Sequence, residues 1–104
     1  MNNVQILKLS SGEELIGKVS DIEIEGRQLI QIEKPAVVML VPDKIDQSKF
    51  GIALAPYAPY ADKNLIHIMP SHIIAIFVPA NALLNEYNAT LGSKVIIPEN
   101  EIKV

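Results

Sequence analysis

Two glycines, Gly12 and Gly17, stand five residues apart within the run Leu9-Ser-Ser-Gly-Glu-Glu-Leu-Ile-Gly17. Gly12 follows two serines in a polar turn, where a glycine supplies the positive φ that a tight hairpin often needs. Gly17 lies inside an apolar strand pattern, where a missing side chain permits a bend or a close backbone approach. The predicted product is a hairpin whose second strand, Leu15 to Ile24, bends sharply. Later, Ile68-Met-Pro-Ser-His-Ile-Ile-Ala-Ile76 reads as a turn feeding a short apolar closing strand over Ile73 to Val78.

The remainder reads mostly as strands. From Val4 the first segment alternates, with Val4, Ile6 and Lys8 facing one way and Gln5, Leu7 and Leu9 the other. Glu25-Gly-Arg-Gln28 is a turn. A long third strand runs from Leu29 to Val41, and Pro35, which cannot donate to a ladder, calls for a bulge or an edge position. Pro42 to Lys49 is polar and turn-forming. Phe50 to Ala55 is a fourth strand, and Leu65 to Met69 either extends it or forms its own short arm. After Pro79 the period changes: Leu83, Leu84, Tyr87 and Leu91 share one face of a helix over Ala80 to Leu91, which Gly92 can end. Lys94 to Val104 is an apolar-then-polar tail suited to an edge strand.

The chain has 104 residues, enough for one domain spanning 1–104 with a workable core. Its apolar fraction, 49%, is more aliphatic surface than so small a monomer can hide, which points to subunit interfaces. The absence of cysteine excludes disulfides and thiol chemistry. Asn2 and Asn3 follow Met1 without a basic-then-apolar signal pattern, and no apolar run reaches the roughly 20 residues of a membrane span. A cytoplasmic setting with no membrane partner is therefore expected. The net charge of −3 argues against coating nucleic acid by bulk electrostatics, though not against a few contacts in a local pocket.

Leu9, Gly12, Gly17, Val19 and Leu29 to Ile32, followed by Ile68 to Ile76, resemble in order and spacing the two halves of the bipartite Sm motif. The chain is thus similar to the Sm-like family. More specifically, Leu9 to Gly17, Ala55-Pro-Tyr-Ala-Pro-Tyr-Ala61 and Asn85-Glu-Tyr-Asn88 resemble a marine-phage group of Sm-like proteins of unassigned function. The resemblance implies an all-β fold: a small, strongly bent five-stranded barrel of the SH3-like kind over about 4–78, followed here by a C-terminal helix and tail over about 80–104. It further implies a ring of five to seven identical subunits. Two departures stand out. Met69 occupies the place of the family's nucleotide-holding Arg, and Pro70 that of its Gly.

In the family a base is held between the loop after the second strand and the turn before the last. On that pattern Gln28 offers a base edge, Arg27 a phosphate contact or planar stack, Met69 a soft surface, and His72 either role. Arg27 and Gln28 read equally well as solvated turn residues, and His72 as a turn cap. The Pro-Tyr-Ala-Pro-Tyr repeat has the three-residue period of a polyproline-type stretch. That period puts Tyr57 and Tyr60 on one side, either to stack bases or to cover the barrel rim. His67 and His72 lack a third ligand at a suggestive spacing, and Glu13 and Glu14 read as a solvated hairpin tip. No phosphate loop, nucleophile–base pair or nucleotide fingerprint appears, so the expectation is a non-enzymatic protein without metal or cofactor.

The fourth and last strands are nearly uninterrupted apolar runs, and a strand apolar on both faces must be covered on both. In Sm-like rings these strands pair between neighbours, which makes Ile52, Leu54, Ile74 and Ile76 candidate interface residues. The leading expectation is a ring binding single-stranded nucleic acid, RNA before DNA, as a chaperone or processing factor. The alternative is an adaptor ring that binds protein, for example in phage assembly. A positive patch at Lys8, Lys18 or Arg27 favours the first, and uniform acidity the second.

Overall fold

The computed structural model of the protein describes residues 4–46 and 48–92. Six antiparallel strands, β1 (Val4–Leu9), β2 (Glu14–Ile24), β3 (Arg27–Pro42), β4 (Phe50–Pro56), β5 (Leu65–Ile68) and β6 (Ile73–Phe77), precede one short helix, α1 (Asn81–Tyr87). The sheet order is β4-β3-β2-β1-β6, with β5 also paired to β3. The tail from Lys94 to Val104, read above as an edge strand, lies outside the described residues.

The expected five-stranded barrel is corrected in two respects. The strand after β3 is split: β4 pairs with the second half of β3 (Ala36↔Pro56 to Pro42↔Phe50), and β5 with the first half (Ile30↔Ile68 to Glu33↔Leu65). The interruption is a loop in which Ala58, Lys63 and Asn64 all take positive φ, a backbone that a regular ladder does not continue through. Among the described residues no ladder joins β6 to β4 or β5, so the curled sheet is open there.

The bend sits where Gly17 required it. Between the pairs Ile16↔Ala36 and Lys18↔Glu33, Gly17 alone faces Lys34 and Pro35, a bulge with its extra residue on β3. Lys34 takes φ 54°. A Cβ on Gly17 would lie 2.7 Å from Ile32 Cγ1 and 2.8 Å from the Glu33 carbonyl oxygen, so only glycine fits beneath the bulge. The next turn starts where the reading above placed it, at Glu25, but ends two residues earlier. Ile24 pairs with Arg27 across a two-residue loop, Glu25-Gly26, with φ 51° and 80°, the backbone of a type I′ hairpin. Arg27 and Gln28 therefore belong to β3 and not to the turn.

The curled sheet buries side chains on both faces. Inside the curl, Leu7, Leu15, Val19 and Ile32 form one core, and Tyr57, Ile66, Ile68 and Ile73 pack against it. On the outer face Val4, Ile6, Ile16 and Ala36 surround Tyr87, with Leu83 and Leu84 alongside, so α1 covers the sheet after the last strand as the apolar periodicity implies. The helix begins at Asn81 and gives way to a π-type turn over Asn88–Gly92.

Candidate nucleic-acid interface

The open side of the curl holds a cleft of about 440 Å³, within the size range of small-ligand sites. One wall is the β1–β2 turn, contributing Leu9, Ser10, Ser11 and Glu13. The other is β5 and the turn after it, contributing Ile66, His67, Ile68, Met69 and His72, with Tyr57 at the break after β4.

Backbone hydrogen bonds hold the walls together. The amide of Gly12 donates to Leu9 O and that of Leu9 to Glu13 O, both at 2.9 Å, closing the β1–β2 turn around Gly12 at φ 98°. The amide of Ser10 donates to His72 O at 2.8 Å, and that of His72 to Met69 O at 2.9 Å. This couples the first turn to the Pro70–His72 turn. Side chains follow: Ser10 Oγ and His72 Nδ1 are 3.4 Å apart, and Gln31 Oε1 accepts from His67 Nε2 at 3.2 Å across the β3–β5 ladder.

Of the residues singled out in the sequence, Tyr57, Met69 and His72 meet in this cleft. Arg27 and Gln28 do not line it. Arg27 borders a separate depression with Ile24, Glu25 and Leu29, and Gln28 Nε2 donates to Glu23 Oε1 at 3.1 Å across its own hairpin. Tyr57 and Tyr60 part company, contrary to the polyproline reading. Ala58 at φ 52° breaks the three-residue period, so Tyr57 packs on the inner core while Tyr60 is 89% exposed. Ser10, Ser11, Glu13 and His67 are cleft residues that sequence reasoning passed over. Only the ladder β1·β6 brings Ser10 to His72, and no local pattern announces that contact.

Among the described residues that line the cleft there is no Lys or Arg. Elsewhere, Lys8 Nζ lies 3.4 Å from Glu14 Oε2, and Lys18 stands directly across β2 and β3 from Glu33. Side chains of directly opposed residues share a face, so Lys8 is paired with a carboxylate and Lys18 shares its face with one.

The candidate interface strands are bare on one side. Ile52 on β4 is 50% exposed and Ile74 on β6 is 61% exposed, with Ile76 also exposed. Leu54 differs, being half-buried and packed on the outer-face core. The outer edges of β4 and β6 are also the two ends of the main sheet path.

A protein-family model, described as an Sm_like domain, matches residues 6–88, from β1 to the end of α1. The chain belongs to the Sm-like family. A comparison with curated proteins finds no match. The matched span carries this Sm-like domain's β-rich fold, its bent β2 and its split fourth strand. Among its described residues, no group of three or more His, Asp or Glu is arranged to hold a metal ion, and no helix is long and apolar enough to cross a membrane.

Proposed function

We propose that this Sm-like protein is a non-enzymatic, ring-forming module that binds single-stranded nucleic acid, RNA in preference to DNA, as a chaperone or processing factor. The observation that carries the reading is the cleft where Tyr57, Met69 and His72 meet. An aromatic ring, a soft thioether and an imidazole provide stacking surface and an edge partner for an unpaired base. Sm-like domains commonly assemble as rings and bind RNA, and the exposed Ile52, Ile74 and Ile76 at opposite ends of the sheet fit pairing of β4 on one copy with β6 on the next. Each cleft is a weak site. Repetition around a ring gives one strand several sites at high effective concentration. The specific phage-type group remains part of this proposal.

A second reading has its own support. Lys8 pairs with Glu14, Lys18 shares its face with Glu33, and the chain carries a net charge of −3. That pattern favours an adaptor ring that binds a protein partner, for which the exposed Tyr60 is a ready contact.

Fluorescence anisotropy with short labelled U-rich, A-rich and mixed-sequence RNAs, and with single-stranded DNA, separates the two. Saturable binding to the intact oligomer, weakened several-fold by Met69→Ala or His72→Ala, supports the nucleic-acid ring. No binding at high micromolar protein leaves the adaptor ring.

A further inference from the structure

The cleft sets a carboxylate, Glu13, beside the hydroxyls of Ser10 and Ser11 and the imidazoles of His67 and His72. Among the described residues that line it, the one acidic side chain is Glu13, an acceptor only, and none is Lys or Arg. Ser11 Oγ lies 3.4 Å from Glu13 Oε1, a long contact within the exposed turn that forms the cleft wall. That turn is in turn fixed to the opposite wall by the bond from the Ser10 amide to His72 O.

Uracil presents an acceptor, a donor and an acceptor along its Watson–Crick edge, so a carboxylate aligned with it meets at least one carbonyl oxygen. Guanine presents N1–H and N2–H side by side, two donors spaced to meet the two oxygens of one carboxylate. Adenine and cytosine each offer one amino group next to a ring acceptor, an intermediate match. We infer that the cleft selects guanine over uracil, with Glu13 reading N1–H and N2–H while the base lies against Tyr57 and Met69. The phosphate then lies outside the cleft, consistent with a lining free of cations. This inference rests on the nucleic-acid reading above and assigns that site its preferred base.

The test uses the intact protein and adenine-background RNA nonamers carrying guanine, inosine or uracil at the same three spaced positions. Inosine keeps N1–H and lacks the N2 amino group. The guanine strand is expected to bind at least about tenfold more tightly than the uracil strand, the size of a lost two-point edge contact, with inosine between. Glu13→Gln, at an exposed turn position, leaves the fold intact and places an amide N–H against guanine, so the preference collapses. Saturable binding with uracil equal to or better than guanine overturns the inference and leaves the nucleic-acid ring standing. A guanine preference that survives Glu13→Gln removes Glu13 as its reader. Failure of every strand to bind overturns the inference together with the reading it rests on.

Discussion

The phenol of Tyr87 donates to the carbonyl oxygen of Lys34 at 2.8 Å and lies 3.4 Å from that of Glu33. These two carbonyls flank the bulge that bends β3, where the regular ladder to β2 is interrupted. A half-buried carbonyl beside an interrupted ladder gains from a donor, and the helix supplies one. The bend at the bulge is therefore completed by a residue far along the chain, and α1 is part of the curled sheet's construction.

Tyr87→Phe keeps the ring in the outer-face core and removes only the donor. Stability is expected to fall by about 1–2 kcal/mol, measured by urea unfolding. Tyr87→Ala adds a core cavity and costs about 3–5 kcal/mol.

The same phenol makes stability sensitive to alkali. Burial, and then the carboxylate of Glu33, push the Tyr87 pKa up from 10.0 to about 12. The folded state thus holds its proton where the unfolded chain has released it. This contribution is fully present below pH 10 and is lost as pH rises through about 12. Urea midpoints should decline across that window in the parent protein, and more shallowly in Tyr87→Phe.

Gly17→Ala should destabilise by about 1–3 kcal/mol, because the new methyl meets both Ile32 Cγ1 and the Glu33 carbonyl oxygen. Adding Ile32→Val cannot relieve it, since Cγ1 and the backbone oxygen both remain. Thermal melts of the single and double variants giving equal stability to the parent would contradict a close approach at this site.

Glu25 adopts φ 51° in the two-residue loop before Arg27. Asparagine tolerates that backbone better, so Glu25→Asn is expected to stabilise the protein by roughly 0.5–1 kcal/mol, while Gly26→Ala destabilises it by a similar amount. A differential-scanning comparison reads both signs.

Ring formation predicts that charge on either bare edge separates the subunits. Ile52→Glu and Ile74→Glu should each shift light-scattering mass from oligomer to monomer with an unchanged far-ultraviolet spectrum. Leu54→Glu should instead unfold the chain, because Leu54 packs on its own core.

Much of the fold is legible in the chain. Alternation placed β1 and β2, an unbroken apolar run after a turn placed β6, the shift to helical period placed α1, and Pro35 marked the bulge. The errors came where backbone geometry overrode a local pattern. Glu25-Gly-Arg-Gln28 is polar throughout, and only the register Ile24↔Arg27 shows that the turn is its first half. Pro-Tyr-Ala-Pro-Tyr has a clean three-residue period, and a single positive φ at Ala58 sends its tyrosines apart.

The candidate site was legible in part. Met69 and His72 stood out through the second half of the motif, whereas Ser10, Glu13 and His67 carried no signal of their own. The sequence by itself determined the strand segments, the hairpin at Gly12, the need for glycine at position 17 and the helix after the last strand. Each follows from short-range sterics or from burying one face of a local segment. Tertiary structure alone decided that Ser10 meets His72, that Tyr87 reaches Lys34 and that Lys18 faces Glu33. Those meetings depend on which strands pair and in what register. Ladder hydrogen bonds join backbone groups common to nearly every residue, so register is set by collective packing of the two cores and by the bulge.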